Sequence, residues 1–130
     1  MNPVFVNTIV FVKDIERSKT FYADVLKQKI MQDFGSLVLF ENHFALHQVQ
    51  SIYQTVFKQG PDDVPLDQGK RNLLIYFESQ RLDDMFACVC AASARLIHGI
   101  ERQTWGQKVF RFFDPDGHIV EIGESLDDEE

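Results

Sequence analysis

Apolar side chains run in short blocks along most of this chain. Over positions 4–12, Phe5, Asn7, Ile9 and Phe11 share one face and Val4, Val6, Thr8, Val10 and Val12 the other, which predicts a strand buried on both sides. Asp14 then stands where a helix cap belongs. Ile15, Ser18, Tyr22, Val25 and Leu26 recur at helical spacing, leaving Glu16, Arg17, Lys19 and Asp24 for solvent. Three short strands are expected next, at about 29–34, 37–41 and 44–49, joined by the tight connections Gly35-Ser36 and Asn42-His43. The first half therefore reads as βαβββ.

From 50 to 71 the pattern gives way to Gln, Asp, Gly and Pro, with Gly60-Pro61-Asp62-Asp63 and Asp67-Gln68-Gly69 as turn signals. This is the expected linker, and its length and glycines permit a lid. Positions 72–78 repeat the opening strand, with Leu73, Ile75 and Phe77 on one face and Asn72, Leu74 and Tyr76 on the other. Ser79 can cap a second helix striped by Leu82, Met85, Phe86, Val89 and Cys90, with Asp83 and Asp84 at its positive end. Strands follow at about 94–101, 107–113 and 118–124. Between the last two, Asp114-Pro115-Asp116-Gly117 predicts a turn in which Pro sets φ and Gly takes the left-handed position.

Asn7 and Asn72 hold equivalent places about 65 residues apart, so the chain reads as a paired module. The expectation is one α+β domain: module one over 4–49, the linker over 50–71, module two over 72–124 and an acidic tail over 125–130. A sheet covered by one helix needs something against its other face. Two such modules are expected to form curved mixed sheets around a cavity, the natural place for a site.

Composition narrows the function. The chain has 130 residues, enough to bury one core, and a net charge of −7. That charge repels nucleic acid, and Arg95, Arg102, Lys108 and Arg111 are spread along a stretch that also holds Glu101 and Asp114. No apolar run is long enough to span a bilayer and no signal peptide is expected, so the chain is expected to be cytoplasmic. Cys88 and Cys90, two apart on a predicted helix, point in different directions and read as reduced packing residues. His43, His98 and His118 fall at turns or strand ends and are expected in solvent.

Val10-Phe11-Val12-Lys13-Asp14, with Arg17-Ser18 and Phe21-Tyr22-Ala23-Asp24-Val25-Leu26, resembles the first strand and helix of the vicinal oxygen chelate superfamily. This superfamily holds glyoxalases, extradiol dioxygenases, and bleomycin and fosfomycin resistance proteins. Trp105-Gly106-Gln107 and the run from Phe110-Arg111-Phe112-Phe113 through Asp114-Pro115-Asp116-Gly117 to His118-Ile119-Val120-Glu121 resemble its closing hairpin, in the form of the bleomycin-resistance-like branch. The resemblance implies the glyoxalase/bleomycin resistance/dioxygenase fold. In metal-dependent members each module supplies one ligand from its first strand and one from its last. By position these fall on Asn7 and Asn72, and on His47 and Glu121. The family usually has His, Gln or Glu there. Asparagine is neutral and a weak ligand, so a divalent metal would rest on His47 and Glu121 alone, where about three protein ligands are needed.

Each candidate has a plainer reading beside the functional one. Asn7 is either a hydrogen-bonded core amide or part of a pocket, and His47 either a satisfied structural histidine or a ligand. Glu121, between Val120 and Ile122, faces the expected cavity and needs a partner, a proton or a metal. His47 is its counterpart across the repeat, and the two could act as a catalytic pair that relays a proton. Trp105, Phe110, Phe112, Phe34, Phe40 and Tyr76 are core by default. Tyr76, Trp105, Phe110 and Arg111, with Asn7 and Asn72, are the candidates for contact with a small-molecule ligand. Arg111 can pair with Glu121 or recognise an anionic group.

Three functions stay open. One is a binding protein of the resistance type that sequesters or acts on an aromatic or oxygen-rich compound. Another is a metal-dependent lyase or dioxygenase, and the third is metal-free acid and base catalysis by His47 and Glu121. The two asparagines and the aromatics suit the first best. Half-barrels of this fold commonly complete each other across a two-fold axis, so a homodimer is expected.

Overall fold

In the computed structural model, which describes residues 1–126, the strands form two four-stranded sheets. The end of the expected acidic tail, 127–130, lies outside the described residues. The chain divides into two units, Met1–Gln68 and a second that begins at Gly69.

The first unit runs β1 (Thr8–Val12), α1 (Ile15–Thr20), β2 (Ile30–Asp33), β3 (Leu37–Phe40), β4 (Phe44–Gln48) and α2 (Val49–Phe57). Its sheet has the order β1-β4-β3-β2, with β1 parallel to β4 and the other pairs antiparallel. Asp14 caps α1 as expected, its Oδ1 accepting the Arg17 N–H at 3.2 Å. The helix widens into a π turn over Phe21–Val25, where Leu26 N–H reaches the Phe21 carbonyl, and the chain leaves it through Lys27 at φ 59°. Tyr22 is wholly buried beneath this turn, with its ring centroid 5.0 Å from Phe44 and 6.4 Å from Phe40. Val10, Val12, Val38 and Leu46 share that face. Alternation leaves Ile9, Phe11, Leu37, Leu39, Ala45 and His47 on the other.

Two expectations need correction here. The first strand starts at Thr8, and Val4, Phe5 and Val6 are exposed. The reason lies in its partner: β4 cannot begin before the left-handed pair Asn42 and His43, at φ 69° and 66°, so pairing starts at Thr8 with Phe44. The start of the expected linker is also a helix, α2, with Val49 buried and the Tyr53 and Phe57 rings 4.5 Å apart. A 3-10 turn at Pro61–Asp63 follows.

The second unit repeats the plan with β5 (Leu74–Ser79), α3 (Leu82–Ala91), β6 (Arg95–Arg102), β7 (Lys108–Phe113) and β8 (Ile119–Glu124), in the sheet order β5-β8-β7-β6. Ser79 ends β5 instead of capping the helix, and its Oγ accepts the Arg81 N–H at 3.0 Å. Along α3, Leu82 and Val89 are buried and Phe86 meets Phe110 edge-on at 5.0 Å, while Cys90, expected in the apolar stripe, is exposed. The Asp114–Gly117 turn forms as expected: Gly117 sits at φ 92° and its N–H reaches the Asp114 carbonyl at 3.0 Å. Asp114 Oδ1 also accepts the N–H groups of Asp116 and His118, both at 2.9 Å. This draws His118 out of solvent, where it was expected, and buries it. Among the described residues no helix is long and apolar enough to cross a membrane.

Candidate functional site

The alternation of β8 sends Val120 and Ile122 toward the face that also carries Phe110 and Phe112, packed by α3 through Phe86. Glu121 and Gly123 go to the opposite face. On that face the strand register lines up Tyr76, Glu121, Arg111 and His98, one from each of β5, β8, β7 and β6. Four polar side chains thus form a row across the sheet.

Arg111 holds the row together. Its Nε donates to Glu121 Oε1 at 2.7 Å, Nη1 to His98 Nε2 at 3.0 Å and Nη2 to Gln103 Oε1 at 3.3 Å. Glu121 is buried, and a buried carboxylate without a counter-charge is strongly disfavoured, so the guanidinium is its compensation. His98 Nδ1 lies 2.7 Å from the Gly99 carbonyl, which can only accept. With Nδ1 as the donor there, Nε2 is the ring atom that faces the arginine.

A second chain of hydrogen bonds lies beside the row. The buried Gln107 accepts from Trp105 Nε1 at 2.9 Å and donates to both Tyr76 OH and the Glu124 carbonyl at 2.8 Å. Tyr76 in turn donates to Glu78 Oε2 at 2.6 Å. Gly123 makes room for this: a Cβ there would stand 2.5 Å from Gln107 Nε2 and 3.1 Å from Val109 Cγ1. Partial burial, followed by the Glu78 carboxylate, raises the Tyr76 phenol above its usual pKa, against the opposing pull of the Gln107 donor.

Tyr76, Arg111 and Glu121 are thus gathered in one sheet, and Trp105, in the turn between β6 and β7, is tied to Tyr76 through Gln107. Phe110 lies on the helix-covered face, wholly buried. Asn72 is exposed and precedes β5, and the residue paired with Glu121 is Tyr76, four positions and about 13 Å farther along the strand. The same offset holds in the first unit, where His47 pairs with Phe11 while Asn7 precedes β1. His47 is half-buried, with Nδ1 3.1 Å from the Gln48 carbonyl. Sequence reasoning missed His98, Gln103, Gln107 and Gly123. The run Trp105-Gly106-Gln107 carried the signal for Gln107, and alternation from Glu121 carried that for Gly123.

The donor set does not suit a divalent metal at the expected ligands within either sheet. Glu121 is engaged by Arg111 and flanked in register by Arg111 and Tyr76, and His47 by Phe11 and Leu37, so neither has a second imidazole or carboxylate beside it. Among the described residues, three such side chains gather at Asp114, Asp116 and His118, in the hairpin turn where Asp114 serves the backbone.

The glyoxalase-like domain family matches residues 5–127 of the chain. A protein of unknown function from Agrobacterium tumefaciens str. C58 is 50% identical over 97% of each chain, with a TM-score of 0.89. A glyoxalase/bleomycin resistance protein/dioxygenase from Nocardioides is 18% identical, covering 100% of this chain and 88% of that one, with a TM-score of 0.74. Lactoylglutathione lyase from Agrobacterium tumefaciens is 20% identical over 96% of each, with a TM-score of 0.68. The last two share the fold. No curated protein matches the chain. With the family match running through both βαβββ units, the chain belongs to the glyoxalase-like domain family of the vicinal oxygen chelate superfamily.

Proposed function

We propose that this protein binds a small aromatic or oxygen-rich molecule on the face of its second sheet that carries Tyr76, Trp105, Arg111 and Glu121. The observation that supports this is the charge-compensated Arg111–Glu121 pair on a face with two exposed aromatic side chains, Tyr76 and Trp105, both anchored by Gln107. Small-molecule sites combine apolar and aromatic surface with a few fixed polar groups. A guanidinium has five N–H donors, and three of those on Arg111 are spent on Glu121, His98 and Gln103, which leaves two for a ligand oxygen. The binding reading is preferred over a metal-dependent lyase or dioxygenase because Glu121 is paired with arginine.

The chain has a single tryptophan, so Trp105 fluorescence reports the site directly. Titration with flat aromatic and α-dicarbonyl compounds is expected to give saturable quenching by at least one of them, weakened about fivefold or more by Tyr76→Phe. A dicarbonyl compound turned over in a metal-dependent, Glu121-dependent reaction would replace binding with catalysis. Self-association belongs to the same reading, since Val4, Phe5 and Val6 leave apolar surface open. The free thiols of Cys88 and Cys90 suit a reducing, cytoplasmic setting.

A further inference from the structure

Two arginines meet at one aromatic ring in the second unit. The Arg95 guanidinium carbon lies 4.3 Å from the centroid of the Phe113 ring, and that of Arg71 lies 5.3 Å from it. The two are therefore separated by less than about 10 Å, the sum of those distances. Arg95 and Phe113 are cross-strand partners at the start of β6 and the end of β7. Phe113 is two residues beyond Arg111 on β7, so the cluster stands on the same face, about 7 Å along the strand.

Arg71 reaches the ring from outside the sheet, and its backbone is pinned to do so. Gly69 N–H bonds to the Asp116 carbonyl at 3.2 Å, and a Cβ on Gly69 would lie 2.4 Å from the Gly117 carbonyl carbon. The segment is thus seated directly on the turn that follows Phe113. Two residues on, Arg71 takes the left-handed conformation at φ 59°, which is uncommon for a residue other than glycine.

Among the described residues, no carboxylate answers either arginine. Arg111, Arg81, Lys19 and Lys29 all have acidic partners, yet among the described residues the side chains of Arg71 and Arg95 make no ion pair or hydrogen bond, in a chain of net charge −7. Contact with an aromatic ring uses the guanidinium as a cation and leaves its N–H donors unspent. Two such donor sets beside a fixed ring are suited to an oxyanion, which each can bind with paired hydrogen bonds.

We propose that Arg71 and Arg95, gathered on the Phe113 ring, form an oxyanion subsite that takes the carboxylate or phosphate group of a small molecule. This deepens the proposed function and rests on it: the molecule held on this face carries a negative charge beside its aromatic or oxygen-rich part.

Calorimetric titration of the full chain with benzoate and with inorganic phosphate, at low and at moderate salt, tests the subsite. At least one anion should bind saturably, with affinity falling as salt rises, and the tighter one identifies the group. Arg71→Gln and Arg95→Gln should each weaken it fivefold or more, and Lys108→Gln, at the other end of β7, should leave it unchanged. Arg95→Lys retains the charge but not the fork. It should bind more weakly than wild type, and it decides the matter if Arg95→Gln does not fold. No saturable binding of either anion, or wild-type affinity in both glutamine variants, would overturn the proposal. Uncharged aromatic compounds read through Trp105 separate the two claims. If they bind and the anions do not, the subsite fails and the broader reading stands. If the anions bind through Arg71 and Arg95 while no uncharged compound disturbs Trp105, the broader reading fails.

Discussion

At Glu121 the decisive quantity is the balance between desolvation and pairing. Its side chain is 10% exposed against 24% for Arg111, so each variant of the pair strands a charge in a different degree of burial. Glu121→Gln should lower stability by about 2 kcal/mol and Arg111→Met by about 3 kcal/mol, since the carboxylate is the deeper of the two. The double variant Arg111→Met, Glu121→Leu should lose less than either single one, because no unpaired charge is left. Urea denaturation reads all three, and additive losses would mean the pair is not coupled. Gly123→Ala places a methyl group against Gln107 and Val109, at an expected loss of about 1–3 kcal/mol with a shifted Trp105 emission as Gln107 moves. Tyr76 adds a pH dependence. Its folded pKa is raised above 10.0, so its contribution is complete below that pH and is lost as pH rises through the folded value. Urea midpoints should therefore fall in alkaline buffer, and less steeply in Tyr76→Phe.

Elements were legible where pattern and boundary agreed. Asp14 marked the start of α1, and Asp14→Ala should lower stability by about 1 kcal/mol in the same denaturation experiment. The Asp114–Gly117 turn was equally plain, because Pro and Gly dictate its backbone. By contrast, α2 carries a helical repeat in Val49, Ile52, Tyr53, Val56 and Phe57 but lacks the usual punctuation. Gln48 makes no cap bond, and the helix ends on a left-handed Lys58 at φ 57° where glycine is the common signal. Strand ends were overdrawn for a different reason, since apolar character continues to Val4 while the partner strand does not. The same cause limits the site. The repeat related Asn7 to Asn72 correctly as sequence positions, but the parallel registers of β1 with β4 and β5 with β8 are set by the turns before β4 and β8. Spacing along the chain could not supply them. Glu121 and Arg111 were visible because they lie on one hairpin with a recognisable turn. The contacts of Gln107 were not, because they depend on a missing side chain at Gly123 on the neighbouring strand.

For the whole molecule, the apolar surface on β1 and the chain leading into it bears on assembly. β1 is an end strand of its sheet, and the residues leading into it, Val4, Phe5 and Val6, are 83%, 65% and 63% exposed. They are also held in place: His43 Nδ1 donates to the Val6 carbonyl at 2.7 Å, and its ring lies 5.9 Å from that of Phe5. An ordered strand edge that presents apolar side chains is a template for another chain unless it is covered. A second copy covering this edge across a two-fold axis would bury Phe5 twice, once from each protomer. Burying one such ring is worth about 2 kcal/mol, so Phe5→Glu should weaken dimerisation by a factor on the order of a hundred or more. Sedimentation equilibrium over a wide concentration range checks this, with the wild type dimeric and the variant monomeric at the same loading. A wild-type chain that remains monomeric at high concentration would leave this edge without the partner assigned to it. A Phe5→Glu variant that remains dimeric would move the interface elsewhere.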